Sequence, residues 1–130
     1  MSKVRIHAVE DIRWTRICDR AGDPPPKVFS QLAASELDST MTFHEFGSDK
    51  ELQLAELEYF PGAEAIMHKH DDDEIIYVVR GEMRLSSKVL NAGSSVYIPG
   101  NTYYGFTAGA AGLRIVNFRA RCDVSFYATE

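Results

Sequence analysis

Read for the alternation of apolar and polar positions, the chain breaks into many short pieces. Those rich in β-branched and aromatic residues are 52–60, 75–80, 83–86, 95–99, 103–107, 113–119 and 124–127. Between them stand turn-forming clusters: Gly22-Asp23-Pro24-Pro25-Pro26, Gly47-Ser48-Asp49, Pro61-Gly62, Gly81, Asn91-Ala92-Gly93, Pro99-Gly100-Asn101 and the stretch 109–112. Glycine and proline there favour backbone angles that punctuate regular structure. Short strands at this spacing predict an all-β sandwich or barrel. Helical periodicity is confined to a turn or two, within 9–18 and 31–37. Along 74–79 the alternation is strict: Glu74, Ile76 and Val78 share one face, Ile75, Tyr77 and Val79 the other. The first face should line the interior. The second is an outer apolar row that needs a cover, from a sheet edge or a second subunit. Leu52, Leu54 and Leu57 fall out of step at Ala55-Glu56, which points to a bulge there.

The length of 130 residues allows one domain, with 1–50 as an N-terminal extension carrying the first strands and 51–130 as the barrel core. A composition of 45% hydrophobic and 25% charged residues is that of a globular protein. The net charge of −5 argues against nucleic acid or an anionic membrane as partner, since phosphate binding needs a basic surface. The chain opens into charged residues, and no apolar run approaches membrane-spanning length. A cytoplasmic location is therefore expected, with Cys18 and Cys122 as free, inert thiols.

The chemistry concentrates in 62–81. Gly62 is followed after five residues by His68-Lys69-His70, after three more by Glu74, and after six more by Gly81. Residues two apart on a strand point the same way, so His68 and His70 project together. Asp71-Asp72-Asp73 permit a turn, and Glu74 opens the next strand, where its carboxylate can face the same interior point. Two imidazoles and a carboxylate make a three-ligand set with open positions, as in non-haem iron centres. Gly62 and Gly81 fit tight turns bounding this hairpin.

The pattern G-x5-H-x-H-x3-E-x6-G resembles the first cupin motif at every defined position. The stretch Gly93, Pro99, Gly100, Asn101 is similar to the start of the second. That resemblance implies a double-stranded β-helix, or jelly-roll, barrel that binds a metal and pairs as a homodimer. The second motif departs in three places: Asn101 stands for its glycine, Tyr104 for its metal-binding histidine and Ala108 for its asparagine. Asn tolerates the left-handed turn that glycine would make. The Tyr104 phenol has three open roles: donor to bound water or substrate, packing at the barrel mouth, or a tyrosinate ligand on ferric iron. His44 on another strand reads as structural or surface-exposed, and Arg80, Arg84 and Arg114 as surface charge.

These features lead to a metal-dependent enzyme acting on a small organic molecule. His68, His70 and Glu74 are the expected metal ligands and Tyr104 the candidate catalytic group. Iron is the first choice of ion, with manganese, zinc or nickel after it, and a dioxygenase is the leading reaction class. The alternatives are an isomerase or lyase using Lewis-acid chemistry, and a non-catalytic small-molecule binding or sensor domain.

Overall fold

The computed structural model describes residues 3–20 and 31–129; the 22–26 cluster lies outside them. Among the described residues the strands are β1 (Thr15–Arg16), β2 (Thr40–Glu45), β3 (Gln53–Tyr59), β4 (Glu64–Lys69), β5 (Glu74–Leu85), β6 (Lys88–Asn91), β7 (Ser95–Ile98), β8 (Tyr104–Arg119) and β9 (Tyr127–Ala128). One short helix, α1 (Ala34–Leu37), and two 3-10 turns at Val9–Asp11 and Ile17–Arg20 fill the N-terminal part. The helical signals in the sequence thus correspond to single turns.

All strand pairs are antiparallel, in hydrogen-bond order β1-β2-β3-β8-β4-β9, with β5 pairing β8, β6 and β7. Strand β8 organises the sheet. Its C-terminal half lies between β3 and β5, with Ile115 opposite both Leu57 and Val78. Its N-terminal half pairs β4 and the far end of β5. The result is an all-β curled sheet, as the strand pattern implied, in the jelly-roll form that the motif resemblance implied.

Two expectations are corrected. Gly81 does not bound a hairpin, and 109–112 does not separate two strands; both lie inside the long strands β5 and β8. Gly81 (φ 82°) and Gly112 (φ 81°) meet where the strands cross, and a Cβ on Gly81 would stand 2.1 Å from the Gly112 carbonyl oxygen. The register slips beside this crossing, between Val78 and Arg80 and between Gly81 and Met83. The glycines therefore let two long strands bend against each other without breaking the ladder. The bulge expected at Ala55-Glu56 falls on the partner strand. Phe43 pairs Ala55 and Glu45 pairs Leu54, so His44 is the extra residue.

The alternation along β5 holds. Glu74, Ile76 and Val78 are buried, whereas Ile75, Tyr77 and Val79 are 41%, 47% and 43% exposed. The inner faces of the strands supply one core that includes Tyr59, Ile76, Val78, Met83, Leu113 and Ile115. Asn101 has φ 60°, the left-handed angle expected of the residue standing for glycine. The acidic run forms surface pairs: Asp72 takes two hydrogen bonds from Arg121, at 2.8 and 2.7 Å, and Asp73 accepts one from the Gly100 amide at 2.8 Å.

Candidate metal centre and its cavity

Three strand ends bring the candidate residues to one end of the sheet interior. His68 lies near the end of β4 and His70 just past it, while Glu74 begins β5 and Tyr104 begins β8. The ring centroids of His68 and His70 are 4.8 Å apart, and Tyr104 lies 4.5 Å from His68. His70 Nε2 faces Glu74 Oε1 at 3.9 Å. His68, Glu74 and Tyr104 are buried.

Both imidazoles are oriented by backbone. His68 Nδ1–H donates to the Ile66 carbonyl at 2.5 Å, and His70 Nδ1–H donates to the Ser125 carbonyl. Each ring therefore keeps its proton on Nδ1 and leaves the Nε2 lone pair free, the arrangement a metal-binding histidine needs. Burial lowers the His68 pKa to about 4 and also lowers that of His70, where the Arg119 charge adds to the effect. Both rings are neutral at neutral pH.

Glu74 sits among donors. Tyr104 donates to Oε1; Asn117 donates to Oε2, as does Arg119 at 3.0 Å. Burial by itself would raise its pKa, but Arg119, the Tyr104 hydrogen bond, His70 and Asn117 together outweigh it, so Glu74 titrates below its ordinary value and stays ionised. The same surroundings act on Tyr104 in the opposite sense. Burial, the Glu74 charge and the hydrogen bond to it raise the phenol well above its ordinary value, so Tyr104 remains protonated and donates.

The donor chemistry fits a divalent cation: two neutral imidazoles with free Nε2 and an ionised carboxylate whose Oε1 faces one of them. The arrangement also differs from a closed three-ligand cage. Among the described residues, no three His, Cys, Asp or Glu side chains are gathered as a metal-binding group. Glu74 is instead drawn onto Arg119, Tyr104 and Asn117.

The two histidines and the side chains that hold Glu74 open onto a cavity of about 460 Å³. His68, His70, Tyr104, Asn117 and Arg119 line it together with apolar and aromatic residues that include Phe43, Leu57, Tyr59, Ile76, Phe106 and Ile115. The segment after β8 helps to build it. Phe126 stacks on His68 at 4.5 Å, and Arg119 donates to the Asp123 carbonyl at 2.5 Å. The Asp123 carboxylate accepts from the amides of Asp72 and Ser125, both at 2.9 Å, and so ties that segment to the turn carrying His70.

Asn117 and Arg119 escaped the sequence reading, although a signal was present. Leu113, Ile115, Asn117 and Arg119 alternate along β8, so two polar residues continue an inward apolar row. Asn117 thus stands near the site, while Ala108 occupies the motif's asparagine position. Arg80, Arg84 and Arg114 pair with surface glutamates: Arg80 with Glu58, Arg84 with Glu82 at 2.6 Å, and Arg114 with Glu58 at 2.6 Å. His44 contacts Glu56 at 2.7 Å. Cys18 and Cys122 are free thiols.

Comparison with known proteins agrees with the fold and the motif. The family model described as a cupin domain matches residues 55–117. The chain thus has the cupin fold, in a small all-β form. An RmlC-like cupin from Shewanella frigidimarina NCIMB 400 is 28% identical over 63% of this chain and 76% of its own, with a TM-score of 0.55. The polyketide cyclase RemF from Streptomyces resistomycificus shares the fold over 100% of this chain and 87% of its own, at 21% identity and TM-score 0.69. An RmlC-like cupin from Ralstonia eutropha JMP134 does so over 92% and 69%, at 19% identity and TM-score 0.65. A search of curated protein sequences returned no match.

Proposed function

We propose that this cupin is a metal-dependent enzyme acting on a small organic molecule whose apolar body fills the cavity. The observation that carries the reading is the pair of imidazoles, each locked by a backbone carbonyl with its Nε2 free, beside an ionised Glu74. His68, His70 and Glu74 would hold the ion, with ferrous iron as first choice and manganese, zinc or nickel after it. Iron there would supply redox chemistry towards dioxygen, and the other ions Lewis-acid polarisation. The dioxygenase reading comes first because the ligand set is two histidines and one carboxylate, and an isomerase or lyase follows from the same set.

The protein's own groups do the rest. Arg119 and Asn117 hold Glu74 through Oε2, which turns Oε1 towards His70. Tyr104, kept protonated, donates a hydrogen bond at Oε1 and lies where it can pass that bond to a substrate oxygen. The aromatic and aliphatic walls take the substrate's apolar part and exclude water. A second reading, a binding cupin without turnover, is favoured by one feature. Arg119 neutralises Glu74, which leaves the candidate ligand set with no net charge.

Metal analysis of protein purified without chelator separates the two, followed by oxygen-uptake assays with diols and diketones. About one divalent ion per chain is expected in the wild type, with loss in His68→Ala and His70→Ala. Tyr104→Phe should keep the ion and lose about 10- to 1000-fold in turnover, the range for removing one well-placed donor. Wild-type protein that takes up no divalent ion would sink the enzyme reading in favour of the binding one.

A further inference from the structure

Glu36, on α1, lines the same cavity and takes no part in the arrangement around Glu74. It is 7% exposed, and its Oε1 is buried without a hydrogen-bond partner. A buried acceptor left unpaired costs about 1–3 kcal/mol, so it calls for a reason. Its place in the fold gives one. The neighbouring Ser35 Oγ accepts from the Glu64 amide at 3.0 Å, which fixes α1 over the start of β4. His68 is four residues further along that strand, roughly 13 Å at an extended rise. Glu36 thus stands towards the start of β4 and the two histidines towards its end, on the same cavity.

We propose that Glu36 is the second anchor of the cavity, accepting a hydrogen bond from a hydroxyl at the far end of an elongated aromatic ligand. The inference rests on the reading of this cavity as a ligand site and names the class of molecule it takes. The near end of that molecule carries oxygen, facing His68, His70 and the Arg119 guanidinium, whose own Nε is buried without a partner. The far end is a neutral donor. An anion would be repelled by Glu36 and by Glu64 close to it. An ammonium would lose its hydration among apolar walls against a carboxyl that burial raises to about 7 and so leaves only partly ionised. A phenolic or alcoholic hydroxyl meets neither obstacle.

The test uses two probes that differ only at the far end, 6-hydroxy-2-naphthoate and 2-naphthoate, titrated by fluorescence into wild type, Glu36→Leu and Glu36→Gln. Wild type should bind the hydroxylated probe about tenfold more tightly, the worth of one buried hydrogen bond to a partly charged acceptor. Glu36→Leu should erase that preference while binding 2-naphthoate as well as wild type does, and Glu36→Gln, whose amide oxygen still accepts, should keep part of it. If wild type binds both probes alike, or Glu36→Leu retains the preference, Glu36 is no anchor although the cavity is a ligand site. If wild type binds neither probe, the ligand-site reading falls and the anchor with it.

Discussion

The two glutamates that face the interior, Glu36 and Glu74, respond to burial with opposite signs. Around Glu74 a guanidinium and two neutral donors outweigh burial and keep the carboxylate charged. Around Glu36 there is no such cation among the described residues, and burial followed by the charge of Glu64 raises the carboxyl from 4.5 to about 7. The folded protein therefore holds the Glu36 proton more tightly than the unfolded chain does. Below pH 4.5 that advantage is fully present, and it is lost as pH rises through 7. Glu36→Gln removes the titration. In urea unfolding at a series of pH values, the variant should gain on wild type from about pH 4.5, reaching on the order of 3 kcal/mol by pH 8. A difference that does not change with pH would show that Glu36 ionises normally in the fold. The sequence made the two residues unequally visible. Glu74 sits at a fixed sequence offset from two histidines, whereas Glu36 belongs to a four-residue helix, too short for any periodicity to mark its inward face.

At the scale of elements, the sequence showed where strands would be but not where they would be continuous. Gly81 and the 109–112 stretch carry the same signal as the turn glycines, because a residue pattern registers a positive φ without registering what stands opposite it. Gly81 pairs with Leu113 and lies against the Gly112 carbonyl, and that close approach lets four expected strands run on as two. Asn117 and Arg119 were hidden by the same error of scale. Reading 113–119 as a short separate strand concealed that its polar end returns to the place where β8 began at Tyr104. The crossing should be intolerant of side chains. Gly81→Ala combines a left-handed residue with a backbone overlap, and should cost about 3 kcal/mol or more in thermal or urea unfolding. Gly62→Ala is the control, since Gly62 has φ 77° and nothing within 4 Å of a Cβ; it should cost only about 1 kcal/mol. Equal losses in the two variants would mean that the crossing is not a close contact.

At the scale of the whole molecule, the outer face of the sheet carries Phe118, Ile75 and Tyr97 side by side across β8, β5 and β7, with Tyr77 next to them. They are 37%, 41%, 58% and 47% exposed, a contiguous apolar area of the kind a partner covers. We propose a second copy of the chain as that partner, as the outer apolar row and the cupin resemblance imply. Light scattering coupled to gel filtration should give twice the chain mass for wild type, and the single-chain mass for Ile75→Lys combined with Tyr77→Lys. Wild type that remains monomeric at micromolar concentration would remove this interface. No helix among the described residues is long and apolar enough to cross a membrane.

The split origin of the arrangement around Glu74 bears on how the chain reaches its final state. Glu74 pairs with Ile98, 24 positions along the chain, which closes a smaller loop than its contacts with β8 do. Its partners Asn117 and Arg119 come from a strand more than forty positions away, and that strand is placed by its long-range pairings with β3 and β5. Until β8 docks, the carboxylate has only water to solvate it. Docking strips that water away and delivers the guanidinium in the same event. Dehydration and neutralisation are thereby fused into one cooperative step, and a chain with β8 undocked has neither the cavity nor the charge balance to bind anything prematurely.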